Sequence, residues 1–275
     1  MWTLSGFADE ISPDLERQCA TLDDLGIGHV EIRSLWDVNV LDLDDDQIAR
    51  ARKAFAAHRV QTSSIGSPIG KIDIREDFEP HLARFQRALH VAEALQAPYI
   101  RVFSFFIPAG RDPLRHRDEV LRRMTALVQA AKGHDAVLLH ENEKEIYGDI
   151  PARCLDVVES IGSDQLRLAW DPANFVQCAV QPFTEAYGML RPYVEYIHVK
   201  DALMATGHVV PAGEGDGEIP ETLRALEADG FDGFFSMEPH LGTSHLAGGF
   251  SGAELFTRAT EAFTGLLDAQ GVEYR

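Results

Sequence analysis

Four segments in the second half of the chain end a β-rich run with a side chain able to bind a cation or move a proton. They are Leu139-His140-Glu141-Asn142, Ala169-Trp170-Asp171-Pro172, Ile197-His198-Val199-Lys200 and Ser236-Met237-Glu238-Pro239. Strand side chains alternate between faces, so Glu141 shares a face with Leu139, Asp171 with Ala169, His198 with Tyr196 and Glu238 with Ser236. The opposite faces carry Leu168 and Trp170 on one strand and Phe235 and Met237 on another, whose bulk suits packing against helices. Three carboxylates and an imidazole meeting at one rim would repel one another and lose their hydration unless a cation joined them. A divalent metal ion resolves that conflict. Three oxygen donors and one nitrogen donor suit Mn²⁺, Mg²⁺ or Co²⁺ and admit Zn²⁺, with positions left open for substrate oxygens; ligand type alone does not select among them, and Mn²⁺ is the expected ion. Taken singly, each residue reads equally as a helix cap, a surface charge or a buried hydrogen-bonding group. Their recurrence at four consecutive strand ends is what argues for one shared site.

Eight β-rich runs must carry these residues: 3–8, 29–33, 61–65, 99–105, 136–141, 166–171, 193–200 and 233–238. Longer amphipathic stretches alternate with them, as in successive βα units. Ser12-Pro13-Asp14 precedes a helix expected over 15–25, and Asp112-Pro113 one over 114–132. Gly26, Gly133 and Gly230 fall near helix ends, where glycine adopts the left-handed conformation at little cost. This order predicts an α/β fold, a single (β/α)8 TIM barrel over residues 1–275, with active-site groups at the C-terminal strand ends. Gly6-Phe7-Ala8 lacks the Gly-rich turn of a dinucleotide-binding sheet. The irregular stretch 202–217, with Gly213-Glu214-Gly215-Asp216-Gly217, lies over the barrel mouth as a lid or as a plain surface excursion.

Other residues are candidates for substrate contact. Lys200 shares the inward face of His198 and could donate to a substrate hydroxyl or enolate, or pair with Asp201 or Glu214. Glu31 and Arg33 face the cavity as substrate contacts or as a buried ion pair. Arg101 is a candidate contact to an anion or hydroxyl. His140 has the opposite parity to Glu141 and is expected to support the site from outside, while His240 and His245 lie on the last loop.

The composition, 45% hydrophobic and 25% charged over 275 residues, is that of an ordinary globular protein with no linker dividing it. The net charge of -19 makes nucleic acid and anionic membrane poor partners. Cys19, Cys154 and Cys178 have no C-x-x-C spacing, and the first residues have neither a basic head nor a long apolar run. A cytoplasmic protein without disulfides or signal peptide is therefore expected.

The ordered set Glu141-Asn142, Trp170-Asp171-Pro172-Ala173-Asn174, His198-Val199-Lys200-Asp201, Gly213-Glu214-Gly215 and Glu238-Pro239 resembles the xylose isomerase-like TIM barrel superfamily of sugar phosphate isomerases and epimerases. The resemblance covers nearly the whole chain. It implies one metal ion on Glu141, Asp171, His198 and Glu238, a small sugar substrate, a role in carbohydrate metabolism and self-association into a homo-oligomer. It also implies that Glu141 and Glu238 exchange a proton beside a carbonyl, through a metal-stabilised enediolate. Two positions depart from the family pattern. Asn174 stands where many relatives have a histidine, and it becomes a candidate substrate contact; nothing after His198 matches the arginine of ketohexose epimerases. A lyase that eliminates a β-leaving group from a keto-inositol or 3-keto-glycoside is therefore a rival reading. An apurinic-site endonuclease shares the barrel, but Ser64, Ser104 and Asn174 stand where it has extra zinc ligands. A sugar-binding protein without turnover completes the alternatives.

Overall fold

Runs rich in β-branched and aromatic residues form eight strands in the computed structural model, which describes residues 1–242 and 251–275. They are β1 (Thr3–Gly6), β2 (His29–Ile32), β3 (Gln61–Ile65), β4 (Tyr99–Val102), β5 (Val137–Glu141), β6 (Leu166–Trp170), β7 (Val194–Val199) and β8 (Phe234–Met237). All lie parallel in one sheet that runs from β2 through β3 to β8 and on to β1. A parallel bridge from Phe7 to Glu31 joins β1 to β2 and nearly closes the ring. The (β/α)8 barrel expected from the sequence is the observed fold. β4 ends at Val102, short of the expected residue 105, and Phe105 itself adopts φ 67°, outside the range a strand tolerates.

The main helices are α1 (Leu15–Asp24), α2 (Asp45–Ala57), α3 (Phe78–Leu95), α4 (Arg117–Ala130), α5 (Pro151–Ile161), the short α6 (Pro172–Gln177), α7 (Ile219–Ala228) and α8 (Gly252–Gln270). Local chemistry sets their starts. The Asp14 carboxylate accepts from Arg17 N before α1, and Asp44 and Gln47 form a reciprocal capping box before α2. Asp112 caps a 3-10 turn, Pro113–His116, so α4 begins three residues later than the expected 114. Gly26, Gly133 and Gly230 all have positive φ at helix ends.

Strand parity sorts the core into two compartments. Outward residues Leu168, Trp170, Phe235 and Met237 join the large cluster between sheet and helices. Inside the barrel, Leu139, Ala169 and Tyr196 form a separate apolar plug, against which Tyr99 and Phe234 pack. Each large side chain buried this way contributes about 2 kcal/mol. The plug leaves the polar residues above it at the C-terminal rim. Among the described residues, no helix is long and apolar enough to cross a membrane.

Candidate metal centre

Glu141 ends β5, Asp171 follows β6, His198 is the penultimate residue of β7, and Glu238 follows β8. One ligand atom from each lies within 4.8 Å of the others, and all four residues are 3% exposed or less. Their neighbours hold them there. Asn142 crosses to the next strand, donating through Nδ2 to Asp171 O (2.9 Å) and accepting through Oδ1 from Asp171 N (3.0 Å). Asp171 in turn caps α6, its Oδ1 accepting from Asn174 N at 2.9 Å. The Asn174 amide donates to Glu141 Oε1 at 3.1 Å. His198 rests edge-on against Tyr196 of the plug and Phe7, with ring centroids 5.7 and 5.3 Å away.

The imidazole has two distinct sides. Its Nε2 lies 3.2 Å from Glu31 Oε2, while Nδ1 faces Glu141 Oε1 at 3.3 Å and Glu238 Oε2 at 4.0 Å. Lys200 Nζ bridges Asp171 Oδ2 (2.7 Å) and Glu238 Oε2 (3.0 Å), not Asp201 or Glu214. Arg101 Nη1 spans Glu141 Oε2 (3.2 Å) and Glu238 Oε1 (3.7 Å). These contacts set the protonation states. Although burial opposes it, His198 and Arg101 hold Glu141 down to about 2. Lys200, His240, His198 and Arg101 likewise hold Glu238 well below its ordinary value against its burial. For Asp171 burial wins over Lys200, and with the charges of Glu141 and Glu238 lifts it to about 6. His198 is raised despite burial, by Glu141 and Glu31.

Two observations test whether a metal ion fits. Glu141 Oε2, Asp171 Oδ2 and His198 Nδ1 are buried without an aligned hydrogen bond. The cations near the two carboxylate oxygens stand at ion-pair distance without that alignment. In addition, six carboxylates (Asp9, Glu10, Glu31, Glu141, Asp171 and Glu238), each 6% exposed or less, meet three permanent cations, Arg33, Arg101 and Lys200. A divalent ion replacing a proton on His198 would cancel two of the three excess negative charges. The donor set fits an oxygen-preferring ion with one nitrogen ligand.

A second network backs Glu238. Arg33 donates from Nε to Asp9 Oδ2 and from Nη2 to Glu10 Oε1, both at 2.8 Å, and its Nη1 lies 3.4 Å from Glu238 Oε1. His240 Nε2 lies 3.2 Å from Glu10 Oε1 and 3.5 Å from Glu238 Oε1. Ser251 Oγ donates to Glu10 Oε2 at 2.8 Å. Asp9 and Glu10 were not among the sequence candidates. The signal was present, because they too are acidic residues just beyond a strand's C-terminal end. His140 does lie outside the ring, buried with Nε2 2.9 Å from Ser104 Oγ. His245 falls outside the described residues.

The sequence signature of the xylose isomerase-like TIM barrel family matches residues 19–260. The chain belongs to this family. A curated relative, 2-epi-5-epi-valiolone 7-phosphate 2-epimerase of Actinoplanes sp., is 32% identical over 151 residues, 54% of this chain and 52% of that protein. The match thus spans about half the length of the relative. The fold is shared with the solved structure of a D-tagatose 3-epimerase-like protein (TM-score 0.79, 15% identity, 98% of each chain). It is shared also with a xylose isomerase-like TIM barrel protein of Mycobacterium smegmatis in complex with magnesium (TM-score 0.69, 19% identity, 97% of each chain).

Proposed function

We propose that this xylose isomerase-like barrel is a divalent-metal-dependent epimerase or isomerase of a keto-sugar or sugar-like polyol, with Mn²⁺ or Mg²⁺ on Glu141, Asp171, His198 and Glu238. The observation that carries the reading is the buried meeting of those four side chains, two of them glutamates kept ionised by their neighbours. A bound ion would act as a Lewis acid, lowering the cost of negative charge on a substrate carbonyl oxygen.

The remaining work falls to the chain's own residues. Glu141 and Glu238 are ionised and so can accept a proton from the carbon beside that carbonyl; the cations that hold them ionised also keep them weak bases, and either would gain basicity if Arg101 and Lys200 turned to substrate oxygens. One takes the proton; the other, protonated from solvent before the step, returns one, and the first afterwards releases its proton to solvent. Return to the opposite face inverts the centre; return to the neighbouring carbon isomerises the sugar. Arg101 and Lys200 keep the carboxylates charged between turnovers and are the candidate donors to substrate oxygens. Glu31, 3.2 Å from Nε2 of His198, would orient the imidazole so that Nδ1, once deprotonated, could serve as the nitrogen ligand. The matched half of the curated relative and the magnesium in the M. smegmatis neighbour support the same chemistry.

The test is exchange of substrate carbon-bound hydrogen in deuterated water, followed by NMR over a panel of keto-sugars and keto-inositols with Mn²⁺ or Mg²⁺. Exchange with at least one substrate is expected, falling by about 10²–10⁴-fold in Glu238→Gln while the unfolding temperature is retained. Absence of exchange across the panel with either ion contradicts the proposal. Growth of ultraviolet absorbance from a conjugated enone would assign β-elimination instead.

A further inference from the structure

The end of the barrel away from the candidate metal centre is the face that ordinarily serves stability. Between the C-terminal ends of α2 and α3 it holds a cavity of about 590 Å³. His29, which opens β2, and Phe234, which opens β8, line it with rings 5.1 Å apart, and buried Phe55 adds a third ring. The polar part of the lining is one-sided. Arg52, Arg59 and Gln96 contribute to it and no carboxylate does, in a chain with a net charge of -19. Neither arginine forms an ion pair or hydrogen bond through its side chain with another described residue. His29 Nδ1 is buried there without a hydrogen bond.

The backbone supplies an independent observation. Seven helices return the chain to this face, and each ends near a left-handed residue. After α1, α4, α5, α7 and α8 that residue is glycine: Gly26 (φ 71°), Gly133 (90°), Gly162 (59°), Gly230 (68°) and Gly271 (73°). After α2 and α3 it is Arg59 (56°) and Gln96 (55°). The short α6, followed by Ala179 at 58°, ends at the opposite face and is outside this set. A Cβ in the left-handed region crowds the following carbonyl oxygen, a strain glycine avoids. The two helix ends that accept it are the two that line the cavity, which ties the strain to what their side chains do there.

We infer that this cavity binds a small tetrahedral oxyanion, free phosphate or the phosphate group of a metabolite, between Arg52 and Arg59. Forked guanidinium donors match phosphate oxygens, and the Gln96 amide adds a neutral donor. The site is separate from the metal centre and does not rest on the proposed reaction.

Metal-free, full-length protein is titrated with inorganic phosphate and, separately, with glycerol 3-phosphate, while the unfolding temperature is followed. A saturable rise is expected by mass action. A response to phosphate alone assigns the free ion, and a tighter response to glycerol 3-phosphate assigns the esterified group. Arg59→Gly should raise the unfolding temperature in phosphate-free buffer, since the backbone strain is relieved, and still lose about tenfold in anion affinity. Arg52→Gln should lose the same affinity with its unfolding temperature in phosphate-free buffer unchanged. The inference is overturned if neither anion gives a saturable response, or if the response survives intact in the double variant.

Discussion

Glu141 and Glu238 bring the same functional group into different company. Glu141 meets Asn174, Arg101 and His198, whereas Glu238 meets Lys200, Arg33, Arg101 and His240. Both are thereby kept ionised, but Glu238 alone of the two pairs with Arg33, just after β2, and through it with Asp9 and Glu10 after β1. The four candidate ligands were legible in the sequence because strand parity and position alone fix where an acidic strand end points. Glu31 was legible only as an inward residue. Its partner His198 stands 167 residues away, and no local pattern encodes that pairing. If Glu31 orients the imidazole, Glu31→Gln should weaken Mn²⁺ binding by about 10–100-fold with circular dichroism unchanged. Calorimetric titration checks this, and an unaltered affinity would reduce Glu31 to a packing role.

The segment after β7 shows what element-level reading misses. Its glycines suggested a lid or an excursion, but the chain forms a short hairpin, Asp201–Ala202 against Val209–Val210, and then wraps the Asp201 carboxylate. That buried group accepts from the backbone N–H of Ala202 (2.8 Å), Gly213 (2.9 Å), Gly215 (3.1 Å) and Gly217 (2.8 Å). A Cβ at Gly215 or Gly217 would lie 2.4 or 2.6 Å from Asp201 Oδ1, so these glycines make room for the acceptor. The sequence shows Gly-x-Gly-x-Gly and an aspartate, but not that the one closes on the other. Asp201→Ala leaves those donors without their acceptor and should destabilise the fold by about 2–4 kcal/mol in urea unfolding. A loss under about 0.5 kcal/mol would mean that water replaces the carboxylate without penalty.

Over the whole molecule, the alternation of β-rich and amphipathic runs was enough to fix the barrel, because eight repeats of one pattern leave little choice of topology. Long-range polar pairing stayed hidden, and it shapes how the molecule responds to pH. Burial, with Arg84 and Arg123 nearby, pushes His81 down to about 4, and its unprotonated Nε2 accepts from Gly70 N at 2.7 Å. Above pH about 6.5 this residue is neutral in both folded and unfolded chains. Between there and about 4 the unfolded chain binds a proton that the folded one excludes, so stability falls as pH drops, by a total of about 3 kcal/mol. Urea unfolding from pH 7 to 4.5 should show this fall, and His81→Gln should remove the His81 share of it while leaving that of His140, which burial also pushes down to about 4; superimposable profiles would show that His81 is not a source. The central claim, that four separated side chains hold a single ion, is tested most directly by titrating metal-free protein with Mn²⁺. One ion per chain is expected, bound at least tenfold more weakly after Asp171→Asn or His198→Ala. No binding, or binding indifferent to both substitutions, would contradict it.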